Sequence, residues 1–436
     1  MSKRNFILLI IILVIILLFI FGYFYFYKNN NPIPGGEGTN FNFDFNPFGG
    51  DKTNPPTTPP TDVSGYTPPG EDEVVAQKLM KVSTMPIAGF GIFSKERFKE
   101  IPTVVEEENT PTTAKPVAPL TEFMPAVRYV ARATGNIYQT FADKIEERKF
   151  SDTIIPKVYE ASFGNKGESV IMRYLKEDDT TIATFVGLLP KELLGNDTAT
   201  NNEIKGTFLP ENVIDVSMSP DTLKMFYLIN NENNVTGVTA DSSGSKKVQI
   251  FDSPYTEWLS SWPNSKLITL NTKPSSFVPG YVYALDPITK NFIKIFGDIN
   301  GLTTLTSPDG KLLLYGNNNL SLNIYHIDTR EVESVGVATL PEKCVWASIS
   351  DVLYCSVPKY IDSVLYPDSW YRGTVSFSDE IWKIDLNTGN ASKIIDPISV
   401  KGGEEIDGIK LSLDSGENHL FFVNKKDSYL WKLDLK

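Results

Sequence analysis

The feature that most constrains this chain is a strand–turn unit that returns seven times. In "LTSPDGKLLLYG", residues 305–316, a Ser-Pro-Asp-Gly turn separates two short apolar runs. Pro308 and Gly310 favour turn geometry, so two antiparallel strands are expected. One hairpin cannot bury its own apolar face. An apolar run closing on serine before a turn recurs at Ser94, Ser162, Ser219, Ser261, Ser348 and Ser412. With Ser307 these marks are spaced 68, 57, 42, 46, 41 and 64 residues apart.

A second strand follows most of the turns, as in "SVIMRYL", "KMFYLIN", "KLITLNT", "VLYCSV" and "HLFFVN". Third strands read as "YVYALD", "NIYHID", "EIWKID" and "YLWKLD", and fourth strands as "KVQIFDS", "FIKIFGD" and "SKIIDPI". Four strands in a unit of about 40–50 residues is the period of a propeller blade. The chain ends after a third strand, whereas "QKLMKVSTMP" (77–86) reads as a fourth strand ahead of the first unit. Pairing the two closes the ring and leaves no long free edge. The expected fold is all-β: a seven-bladed β-propeller over residues 77–436, with six or eight blades as fallbacks. Two stretches interrupt the blades. Residues 95–124, rich in Pro, Thr and acidic groups, read as a surface loop, and 357–378 form a more aromatic insertion.

"FILLIIILVIILLFIFGYFYFY", Phe6–Tyr27, is 22 residues without a charge. That length crosses a ~30 Å hydrocarbon layer as a helix. Lys3 and Arg4 precede it and only Lys28 follows closely, which keeps the N-terminal residues 1–5 in the cytoplasm. The run closes on Tyr and Phe rather than on a small-residue cleavage site. The expectation is therefore an uncleaved single-span anchor with the propeller on the extracytoplasmic side. Residues 28–76, dominated by Pro, Gly, Asn and Thr, read as a flexible spacer.

A net charge of −12 argues against nucleic-acid binding, which needs basic surface to neutralise phosphates. Two cysteines and two histidines without ligand spacing give no expected metal site. The Asp385–Asn390 turn lacks the full calcium-loop spacing. No Gly-x-Ser-x-Gly, His-Glu-x-x-His or phosphate-loop motif is present. His326 and His419 lie in strand patterns and read as structural. No cofactor is expected.

The "SPDGK" turn followed by "LLLYG", and units such as "IWKIDLNTG", resemble the TolB-like and WD-repeat-like propeller families over roughly residues 77–436. The Gly-His and Trp-Asp signature of true WD repeats is absent. The stretches "RYVARATGNIYQTF", "EKCVWASISDVLYCSVP" and "YPDSWYRGTVSFSDEIWKID" are similar to a group of uncharacterised bacterial membrane-anchored propeller proteins. This resemblance implies an exported domain and brings neither an activity nor functional residues.

Cys344 and Cys355 flank a turn centred between Ile349 and Ser350 and so face each other on paired strands. Facing positions lie within disulfide reach, and an exported domain meets oxidising conditions. The alternative is a pair of buried thiols acting as small hydrophobes. In the aromatic insertion, Tyr360, Tyr366, Trp370 and Tyr371 with Asp368 and Arg372 are the candidate ligand or partner site. Rings beside polar groups suit stacking on sugars or anchoring a protein; alternatively the insertion folds over one face and its rings fill their own small core. The first function expected is a binding or scaffolding module for an envelope protein, peptide or cell-wall glycan. The second is an extracytoplasmic glycan hydrolase using paired carboxylates, which only geometry could single out among 53 acidic residues.

Overall fold

The Ser307 turn shows how a short local code builds this architecture. Ser307 is buried, its Oγ donates to Asp309 Oδ1 at 2.6 Å and accepts from the Leu312 amide at 3.0 Å. Gly310, at φ 74°, occupies the left-handed corner that L side chains avoid. Ser219 repeats the arrangement with Asp221 and the Lys224 amide. The structure, a computed structural model, describes residues 78–99, 120–190 and 203–436. Within them, all seven marked serines lie on the first strand of a sheet or in the turn after it.

These residues form seven four-stranded antiparallel sheets. First strands of neighbouring sheets lie against one another, which makes them the innermost strands of a seven-bladed propeller. They are Ile87–Phe98, Val158–Gly164, Val213–Met218, Trp258–Asn264, Thr303–Thr306, Cys344–Trp346 and Gly408–Leu413 for blades 1 to 7. The second strands are covered on both faces and so read as nearly continuous apolar runs, such as Lys224–Asn230, "KMFYLIN". The core is laid down between adjacent blades. Phe226 and Leu228 of blade 3 meet Trp258, Trp262 and Ile268 of blade 4. The Trp258 ring meets Phe251 edge-on at 5.7 Å.

The ring closes as expected. Leu79–Lys81 is the outer strand of blade 7 and pairs with Leu430–Asp434 in the register Leu79↔Leu433, Met80↔Lys432, Lys81↔Trp431. Leu79 and Leu433 are both buried, and each contributes on the order of 1.5–3 kcal/mol to closure. Cys344 and Cys355 are register partners joined by a disulfide, with Cα atoms 4.0 Å apart.

Because successive strands alternate in direction, each inner strand starts on the face where the second strand turns into the third. This is called the upper face here. The aromatic insertion lies there, between Val352–Pro358 and Asp379–Asp385, and its expected extent, 357–378, is corrected to 359–378 because residues 357 and 358 complete the preceding strand. The other insertion joins the first two strands of blade 1 and emerges on the lower face. Its expected extent, 95–124, needs correction, because the ladder continues from Ser94↔Pro125 to Phe98↔Thr121. Arg97 holds this extension by pairing with Glu122 at 2.9 Å and Asp143 at 2.5 Å. His326 ends a strand and faces Glu333 at 3.2 Å, and His419 starts one beside Asp414. Among the described residues no helix is long and apolar enough to cross a membrane. The expected span 6–27, with residues 1–5 before it and the spacer 28–76 after it, lies outside the described residues.

Candidate functional site: the upper mouth of the ring

Four of the seven inner strands break their register near the upper face. The breaks fall between Ile87 and Gly89, Val158 and Glu160, Val213 and Asp215, and Ile409 and Ser412. A bulge adds one residue to one strand and re-aims its side chains. Glu160, Asp215 and Lys410 all sit at such breaks, and Lys410 has φ 53°. Gly89 is required at its own break: a Cβ there would come within 1.9 Å of the Ala161 carbonyl oxygen. Blades 1 and 2 could not approach so closely with any other residue.

The polar groups of the upper face form two sets. In the first, Arg173 stands opposite Glu160 on the paired strand and forms an ion pair with it. The Arg173 guanidinium also lies over the Tyr159 ring, 5.2 Å from its centre. Asp215 Oδ2 accepts from both the amide and the hydroxyl of Ser260, each at 2.6 Å. Burial pushes the Asp215 carboxyl above the usual carboxylate range, against the opposing pull of the Ser260 donors and Arg173. Lys410 donates to the Ala88 carbonyl at 3.3 Å. Burial lowers its ammonium pKa, Glu160 opposes that shift, and Arg173 and Arg132 reinforce it.

In the second set, Glu342 accepts a hydrogen bond from the Tyr371 hydroxyl. Burial raises the Glu342 carboxyl, opposed by that hydrogen bond and by Lys343 and Lys425. Burial also raises the Tyr371 phenol. Glu342 and Lys410 are exposed to solvent, yet the surrounding protein strips much of their hydration. Both groups face solvent at the upper face while packed protein on their other side disfavours their charged forms. A neighbouring hollow of about 490 Å³, lined by Lys157, Tyr174 and Lys176, opens on the same face at blade 2.

The aromatic insertion only partly matches its expected role. Tyr366 and Trp370 are 2% and 3% exposed and pack with Phe377, Leu320 and Leu340. The expectation that these two rings bind a ligand is therefore corrected: they fill the insertion's own core. The Trp370 indole N–H donates to Asp407, and the Lys425 ammonium donates to the Trp370 carbonyl at 2.7 Å while lying over its ring. Asp368 is also engaged. It accepts from the amide of Ser276 at 2.6 Å and from its hydroxyl, which fastens blade 6 to a loop of blade 4. Arg372 is exposed, 3.7 Å from Asp368. Tyr360 and Tyr371 are 84% and 38% exposed. Of the six expected residues, Tyr360, Tyr371 and Arg372 remain open to a partner.

Sequence reasoning passed over Glu160, Arg173, Asp215, Ser260, Glu342 and Lys410. The available signal was positional, a charged or hydroxyl residue at the start of several inner strands, but nothing in the composition separates it from ordinary alternation. Among the described residues no three His, Cys, Asp or Glu groups gather as a metal site.

No protein-family model matches the chain, and no curated protein matches its sequence. Similar solved structures include an oligogalacturonate lyase in complex with manganese, 11% identical with a TM-score of 0.46, covering 71% of this chain and 85% of that one. The oligogalacturonate lyase of Vibrio parahaemolyticus is 9% identical with a TM-score of 0.47, over 72% and 86% of the two chains. TolB from Acinetobacter baumannii is 10% identical with a TM-score of 0.38, covering 70% of this chain and 61% of its own.

Proposed function

We propose that the protein is a membrane-anchored, extracytoplasmic binding module whose ligand enters the upper mouth of the propeller. The observation that carries this reading is a cluster of charged side chains of both signs, Glu160, Arg173 and Lys410, at the upper ends of blades 2 and 7, with Glu342 on the same face. Such a cluster suits a polar segment carrying both acidic and basic or hydroxyl groups, as an envelope peptide or a peptide-bearing cell-wall glycan does. The rigid ring presents these groups without reordering, which limits the entropic cost of association.

The test is fluorescence anisotropy with labelled peptides and glycopeptide fragments on the intact protein and on Lys410→Ala and Glu160→Gln variants. A charge-assisted hydrogen bond contributes about 1.5–3 kcal/mol, so Lys410→Ala should weaken a genuine ligand about 10- to 100-fold. Fragments that never saturate, or that bind both variants as tightly as the parent, would overturn the reading.

A glycan-active hydrolase is the second reading, favoured by one observation: burial raises two carboxyls of the mouth, Asp215 and Glu342, as a general acid requires. Product analysis of the same fragments separates the two. Cleavage that Asp215→Asn or Glu342→Gln abolishes supports the enzyme, and intact fragments support the binding module.

A further inference from the structure

Beneath the insertion, Lys343 has no solvent exposure and its ammonium reaches two buried carboxylates. It lies 2.7 Å from Asp379 Oδ2 and 2.5 Å from Asp407 Oδ1. The rings of Trp370 and Phe377 stand 5.5 Å and 5.2 Å from the ammonium and close the site to water. Lys343 is the one ammonium in contact with both carboxylates, with the Lys425 ammonium further off over the Trp370 ring, so ionising both buried acids is costly. The two acids are not held alike. Asp407 accepts from the Trp370 indole, the Ser376 hydroxyl and the Phe377 amide, all donors that favour a carboxylate. Asp379 accepts at Oδ2 from Lys343 and the Gly408 amide, at 2.7 Å each, while its Oδ1 is buried with no partner.

We propose that Lys343 and Asp379 condense into an intramolecular amide cross-link, with Asp407 as the proton acceptor. The Asp407 carboxylate takes a proton from the Lys343 ammonium, and the freed amine attacks Cγ of protonated Asp379. The Gly408 amide stabilises the oxyanion that forms on Oδ2. The C–Oδ1 bond then breaks as the Nζ–Cγ bond is completed. One hydrogen stays on the amide nitrogen, two leave with Oδ1 as water, and the last remains on Asp407 or passes to solvent. No oxidant or co-reactant is needed. Burial and the nearby Asp407 charge raise the Asp379 carboxyl to about 6 against the pull of Lys343, so its acid form is populated under mildly acidic conditions. Burial pushes Asp407 up, but the Lys343 charge and the surrounding donors hold it below the usual range and so ionised; neutralising Lys343 removes the largest of those opposing pulls, which lets burial hold the proton on Asp407. Fixed proximity is worth effective molarities of about 10⁵–10⁸ M, the kind of factor an unactivated carboxyl requires. Lys343 directly precedes Cys344. The amide would therefore tie the root of blade 6 to the end of the insertion, beside the Cys344–Cys355 disulfide.

The test is intact mass spectrometry of the full chain, extracted in detergent, reduced and denatured, followed by peptide mapping. The proposal expects a mass short by one water and a branched tryptic peptide joining the segments around Lys343 and Asp379. Trypsin should not cut after Lys343, and the Lys343→Met variant should return to full mass. Asp407→Asn, which removes the proton acceptor, should also restore full mass in protein that still melts cooperatively. A full mass for the parent, with Lys343 open to an amine reagent after unfolding, would reduce the site to an ion triad and overturn the proposal. So would loss of water confined to a linear peptide containing Asp407–Gly408, because that is a succinimide, which mild base reopens while an amide survives.

Discussion

At the scale of single residues, side-chain type and side-chain role separate most clearly in the insertion. Trp370 and Tyr360 are both large aromatics ten residues apart, yet one is 3% exposed and the other 84%. Trp370→Ala should cost about 3–5 kcal/mol, because it empties a packed site and removes a donor from buried Asp407. Tyr360→Ala should stay within about 0.5 kcal/mol. Urea unfolding of the two variants measures both, and equal costs would contradict the burial pattern. Nothing local in "YPDSWY" distinguishes a ring that fills a core from one that meets a ligand. The difference is made by Leu320 and Leu340, which other parts of the chain bring to the same place. Lys410 is as hard to read from "GIKLSL", because the bulge that turns it into the mouth depends on the partner strand.

At the scale of elements, the paired strands of blade 6 were the most legible feature. The register Cys344↔Cys355 follows from the position of one turn, and the disulfide follows from the register. Closing a loop of this length is worth about 3 kcal/mol in the chain-entropy model. Replacing both cysteines by alanine should lower the unfolding free energy by roughly that amount, and a reductant should reproduce the loss in the parent protein. Denaturant titration with and without reductant checks it, and coincident curves would mean that the bond adds nothing. The insertion shows the opposite case. It is anchored by Asp368 on Ser276, Trp370 on Asp407 and Lys425 on the Trp370 carbonyl, contacts to blades 4 and 7 that lie 92, 37 and 55 residues away in sequence. Contacts so distant leave no local pattern to read.

At the scale of the whole molecule, stability depends on the seam where the two ends of the described ring meet. Leu79↔Leu433 lies 354 residues apart in sequence, and the three-residue strand that carries Leu79 completes blade 7. Leu79→Asp would bury a carboxylate in an apolar packed site, a penalty of several kcal/mol. It should release the strand and expose the edge of Leu430–Asp434, which then pairs with other molecules. Size-exclusion chromatography with light scattering should detect oligomers and an early melt. A monomer with an unchanged melt would show that the ring holds without its closing strand.

The sequence by itself determined the all-β class, the seven-fold repeat, the closing strand and the cysteine pairing. Each is encoded over a few residues: a buried serine before a tight turn, an apolar run of strand length, a fixed distance from a turn centre. Tertiary structure alone decided the functional surface. The mouth draws Glu160, Asp215, Glu342 and Lys410 from blade 2, blade 3, the connection into blade 6, and blade 7. The Lys343 site joins a connection, a strand start and an insertion. The blades that bring these groups to one face or into one contact lie far apart in sequence, so no local stretch encodes the arrangement. Charge, burial and reactivity at such a place belong to the assembled ring rather than to any one stretch of the chain.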